Sequence, residues 1–150
     1  MSAWSTDPKS PEQQIVNSNG LQLREIATHH GDAPSIAYRI DYKGDSVAFS
    51  GDMDESAMQN LEKLAKDSDL LVFHCPVLDP PGSPAELYTR HTPPRKIGES
   101  ARDAGVKHLL LSHIPPAVEE KQPEVLRSIR RSYKGSVEFA HDGTRVQARP

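Results

Sequence analysis

Leu70-Leu71-Val72-Phe73-His74 and Leu109-Leu110-Leu111-Ser112-His113 are both short, continuous apolar runs that end on an imidazole. Neither alternates apolar with polar, so each reads as a strand covered on both faces, the pattern of parallel strands joined by crossover helices. Between them, Cys75 to Pro94 holds six prolines (76, 80, 81, 84, 93 and 94), which excludes ordinary helix from much of that stretch and makes it a long irregular loop. A helix from about Arg95 to Ala104, closed by Gly105, then leads into the second run.

Upstream, Ser35 to Tyr42 and Ser46 to Ser50 pair as a hairpin about Lys43-Gly44-Asp45. Leu21 to Ala27 form a strand running into the loop His29-His30-Gly31-Asp32. Gly51-Asp52-Met53-Asp54 precede a helix from about Glu55 to Lys66, capped by Asp54 or Ser56, with Met58, Leu61, Leu64 and Ala65 as its inward stripe. Downstream, Pro115-Pro116 end the last run, Ala117 to Tyr133 read as one helix, and Ser136 to Ala140 and Arg145 to Ala148 as two strands about Asp142-Gly143. Residues 1–20, rich in Ser, Pro, Gln and Asn, read as a polar lead-in, and 21–150 as the folded unit. The element order is β-ββ-α-β-α-β-α-ββ, hence an α/β layer architecture with a mixed β-sheet and crossover helices.

The chain has 150 residues, a net charge of −3 and 35% hydrophobic residues, enough for one domain. The charge balance lacks the basic excess of a nucleic-acid binder, so nucleic acid is not the expected partner. No apolar stretch is long enough to cross a bilayer, and the opening residues carry no export signal, so a cytoplasmic location is expected. Cys75 is the single cysteine, which leaves histidine and carboxylate as the side chains able to hold a metal. Its thiol reads as buried and inert, His108 and His141 as surface residues, and the arginines of 127–131 as a solvated helix face.

His30, Asp52, His74 and His113 each follow a predicted strand. Loops leaving the carboxyl ends of an open α/β sheet converge on one crevice, so these groups can meet despite their separation in sequence. Imidazole and carboxylate suit zinc, iron or manganese, and the glycine of Ser50-Gly51-Asp52 allows the sharp bend that aims a carboxylate inward. Other roles fit the same residues. Asp52 could cap the next helix, His113 could be a surface residue at a strand end, and His74 could be a hydrogen-bonded structural histidine. His29 and His30 compete for one inward position.

Thr28-His29-His30-Gly31, Pro34 to Ile40, Val47 to Asp52, Leu70 to His74, Arg90-His91-Thr92-Pro93 and Leu109 to Ile114 together resemble the C-terminal half of metallo-β-lactamase-fold hydrolases, closest to the ribonuclease Z and arylsulfatase-like branch. The resemblance spans roughly residues 20 to 148 and implies half of an αββα sandwich. By that likeness His30, Asp52 and His113 are metal ligands, with Asp52 bridging two ions, usually zinc, with manganese or iron as alternatives. Asp52 and His91 are then the catalytic pair, His91 acting on the leaving group. Two departures stand out. Nothing in residues 1–29 resembles the family's His-x-His-x-Asp-His, and Cys75 stands where the family usually has a glutamate that orients a catalytic histidine. The resemblance therefore implies a metal-dependent hydrolase of an ester or phosphodiester, incomplete as this chain alone. The alternative is a non-catalytic, truncated or interaction half-domain. Under both readings an uncovered apolar sheet face implies a homodimer or a complementary N-terminal half as partner. A small-molecule substrate is expected if the site is active.

Overall fold

The computed structural model describes residues 7–149; residues 1–6 of the expected lead-in and Pro150 lie outside the described residues. Seven strands form one sheet in chain order: β1 (Gln13–Ser18), β2 (Leu21–His30), β3 (Ala33–Tyr42), β4 (Asp45–Phe49), β5 (Leu70–His74), β6 (His108–Ser112) and β7 (Ser136–Phe139). The pairings from β1 to β4 are antiparallel and those from β4 to β7 are parallel. Antiparallel neighbours need only tight turns, and both Asn19-Gly20 and Lys43-Gly44 adopt the positive φ that two-residue hairpin turns demand. Parallel neighbours need crossovers, which α1 (Met58–Leu64, after a 3-10 turn at Glu55–Ala57), α2 (Pro94–Asp103), α3 (Pro116–Glu119) and α4 (Gln122–Ile129) supply. This is the mixed α/β sheet expected from the apolar runs.

β1 lies within the segment read as a lead-in. It pairs with β2 from Gln13 opposite Glu25 to Ser18 opposite Leu21, so the boundary expected at residue 20 falls inside a hairpin. The helix expected over 117–133 is interrupted between Glu119 and Gln122. Pro123 has no N–H to give to the preceding turn, so it starts a new helix near its N-terminus and cannot continue the old one. The strand expected over 145–148 does not form. Instead the tail is tied down by Arg149, whose guanidinium reaches Asp45, Asp69 and the Gly44 carbonyl at the far end of the sheet.

The helices cover one sheet face. Leu61 and Leu64 of α1, Ile97 of α2 and Val125 and Ile129 of α4 pack on Ala48, Leu71, Phe73, Leu109 and Leu111, all fully buried. The opposite face carries the register row Tyr38, Phe49, Val72 and Leu110 and, beside it, Ile40, Val47 and Leu70. Most of these are only half-buried, and Phe49 is 37% exposed. The tail lies over one end of this face, where Arg145, Val146 and Gln147 line a cavity of ≈ 270 Å³ together with Leu70, His108 and Leu110. The fold is thus a mixed sheet with one helical layer.

Candidate active site at the strand ends

The chain turns sharply after β4 because Gly51 holds φ at +61°, and a Cβ there would stand 2.8 Å from the Ile36 carbonyl oxygen. The turn is fixed from the hairpin side: Thr28 Oγ1 donates to Ser35 Oγ at 2.8 Å, and Ser35 Oγ donates to the Asp52 carbonyl at 2.5 Å. Capping of the next helical turn falls to Asp54, whose carboxylate accepts from Ser56 N–H at 2.8 Å. Asp52 is therefore not the cap. Its Oδ1 lies 3.0 Å from His113 Nδ1. His113 follows β6 in the left-handed region, φ +55°, the bend that lets a residue just past a strand point back toward its neighbour.

His30, at the end of β2, places Nδ1 2.7 Å from the Arg90 carbonyl. A carbonyl only accepts, so the proton sits on Nδ1 and the Nε2 lone pair is free, the usual preparation of an imidazole that ligates a metal. His29 faces elsewhere, with Nδ1 2.5 Å from Asp54 Oδ2. Of the two adjacent histidines, His30 joins the cluster. His91 stands at its centre, its ring 4.9 Å from that of His30, 5.5 Å from His74 and 5.9 Å from His113. Four imidazoles and one carboxylate thus gather from the ends of β2, β4, β5 and β6 and from the proline-rich loop. A hollow of ≈ 200 Å³ lies beside them, lined by Phe49, Ser50, Gly51, Asp52, Val72, His74, Ser112 and His113. It opens between the ligand-type side chains and the uncovered sheet face.

Electrostatics separate the members. Burial pushes the Asp52 carboxyl up, but the hydrogen bond and charge of His113 outweigh it, holding it below the ordinary carboxylate value. Loss of solvation lowers His91, and His30, His113 and Arg90 lower it further against the pull of Asp52. Burial takes His74 down to about 3, so it is neutral at physiological pH. Cys75 is buried, and desolvation together with Asp79 pushes its thiol up to about 12, which makes it the inert thiol expected. Among the described residues His91 Nδ1 is buried with no hydrogen-bond partner, so no carboxylate orients the ring through that nitrogen.

The donor chemistry suits a metal, and the count does not. Among the described residues no three His, Cys, Asp or Glu side chains surround a common point. Asp52 and His113 meet directly, and His30 joins them only through the ring of His91. Sequence reading found these three and His91. It missed the second layer, Ser35, Ser50, Thr92 and the Arg90 carbonyl, because hydroxyls and backbone oxygens carry no motif.

A family model described as "Beta-lactamase superfamily domain" matches residues 6–114. The chain belongs to the beta-lactamase superfamily. Among its relatives, ribonuclease Z of Mycobacterium avium is 32% identical over 140 residues, covering 89% of this chain and 49% of that protein. Ribonuclease Z of Myxococcus xanthus is 37% identical over 87 residues, covering 58% of this chain and 28% of that protein. In fold, the metallo-beta-lactamase fold protein YhfI from Bacillus subtilis superposes with a TM-score of 0.73 at 20% identity, covering 95% of this chain and 54% of that one. The short form of human tRNase Z gives 0.62 at 18%, covering 87% and 43%. Zn(2+)-bound PqqB from Methylobacterium extorquens gives 0.66 at 16%, covering 88% and 52%. The chain spans about half the length of these relatives, or less. As a superfamily member it is similar to ribonuclease Z over the matched residues.

Proposed function

We propose that this chain is the ligand-bearing half of a metal-dependent hydrolase acting on a phosphodiester. The supporting observation is the gathering of His30, Asp52, His91 and His113 from four separate segments: Asp52 and His113 meet at 3.0 Å and line one hollow, and the His91 ring stands between His113 and His30. His30 and His113 would each hold a metal ion through the nitrogen left free by their Nδ1 contacts, with Asp52 between them. A bound dication would supply an activated water and charge stabilisation in the transition state. His91, at the centre of the group, would act on the departing oxygen as an imidazolium, the form that the neighbouring Asp52 carboxylate favours. The ribonuclease Z relatives favour a phosphodiester over a carboxylic ester. The remaining ligands would come from a second polypeptide segment seated on the Phe49, Val72 and Leu110 face, which borders the hollow and is half-covered at most.

The test is reconstitution. The chain is mixed with the half of the Mycobacterium avium relative that it does not match, and zinc content and hydrolysis of bis(p-nitrophenyl) phosphate are followed. Metal uptake and turnover in the mixture, both lost on Asp52→Ala, support the reading. A mixture that forms without either excludes it.

A second reading is a non-catalytic half-domain that dimerises through its open face. It is favoured by the absence of any three-ligand group among the described residues and by the unanchored Nδ1 of His91.

A further inference from the structure

We propose that His74 is a positioning residue, a two-ended hydrogen-bond link that fixes the distance between the Asp52 turn and the His91 loop and neither ligates metal nor relays a proton. The partners of both ring nitrogens can be assigned. Thr92 N–H lies 3.3 Å from Nε2, and a backbone amide only donates, so Nε2 carries the lone pair and the proton sits on Nδ1. Nδ1 is 3.2 Å from Ser50 Oγ, which donates its own hydrogen to the Gly51 carbonyl at 2.7 Å. The same oxygen accepts the His74 backbone N–H at 3.2 Å, which fills its second lone pair. Both ring nitrogens are thus used internally, and the residue is 3% exposed.

The two ends of the link are informative. Ser50 and Gly51 immediately precede Asp52, and Thr92 immediately follows His91. Thr92 Oγ1 also donates to the Met53 carbonyl at 2.9 Å, so the loop that carries His91 is tied to both sides of the Asp52 turn. Without the ring of His74, the His91 end of the loop would keep the Met53 tie to the Asp52 turn and the tie of the Arg90 carbonyl to His30. The proposal takes the cluster to be the site described above, but its test requires neither metal nor turnover, so the two can fail separately.

The experiment uses the full chain labelled with 15N. Long-range proton–nitrogen correlation at neutral pH reads the His74 tautomer directly; the Nδ1–H form is expected, and an Nε2–H form overturns the proposal. Two variants then cut one end each. His74→Asn keeps a donor near the Nδ1 position and should loosen only the Thr92 end, with amide exchange at Thr92 rising roughly tenfold, the worth of about one hydrogen bond. His74→Gln keeps an acceptor near the Nε2 position and should instead disturb the amide shifts of residues 50–52 while Thr92 stays protected. If both variants disturb both ends alike, His74 is only a packing residue and the proposal falls. If either variant fails to fold, the tautomer measured in the unaltered chain decides alone.

Discussion

Asp52 Oδ1 and His113 Nδ1 meet at 3.0 Å across 61 residues of chain and two strand ends. β4 and β6 are not neighbours; β5 lies between them, and the contact exists because both chains bend inward just past their last paired residue. The carboxylate in this pair is the group on which metal uptake should depend. In the reconstituted mixture, Asp52→Ala should reduce bound zinc at least tenfold by plasma emission analysis, while His29→Ala should leave it unchanged. Equal losses in both would show that the cluster has been assigned to the wrong histidine.

The bend itself is testable. Gly51→Ala places a methyl group against the Ile36 carbonyl in a conformation that L residues avoid, and should cost about 2 kcal/mol or more in urea unfolding. A change under about 0.5 kcal/mol would mean that the turn relaxes freely.

Acid stability follows from two buried groups with depressed values. Burial lowers His74 to about 3 from an ordinary 6.5, so the unfolded chain takes a proton that the folded chain refuses, and stability falls as pH drops below 6.5. The slope approaches about 1.4 kcal/mol per pH unit. Asp69 behaves as a carboxylate held below 3.8: burial raises it, and Lys107 at 2.6 Å, Ser46 and Arg149 outweigh that. Its contribution is complete above 3.8 and is lost as pH falls through its lower folded value. Unfolding followed across pH should therefore show two acid limbs, with His74→Gln removing the upper and Asp69→Asn the lower.

The open face predicts association. Phe49, Val72 and Leu110 form a half-buried apolar row next to the hollow, and the chain should sediment as a dimer at micromolar concentration. Phe49→Lys should yield a folded monomer. Monomeric behaviour of the unaltered chain would contradict the expectation.

Much of this was written in the chain itself. The apolar runs 70–73 and 109–111 specify strands and the turn glycines place the hairpins, but the cover expected on both faces is present on one only, and Val72 and Leu110 stay half-buried on the other. The ionisable residues just past those strands were legible for the same reason, since strand ends are fixed once the strands are. What the sequence left open was decided by contacts between distant segments. His30 was separated from His29 by the Arg90 carbonyl and Asp54, 60 and 25 residues away. Asp52 was freed from capping by Asp54, the helix at 117–133 was divided at Pro123, and the tail was drawn off the sheet edge by Arg149. Hydrogen bonds of this kind depend on where tertiary packing brings a carbonyl or hydroxyl, and the local pattern of side chains carries no record of that.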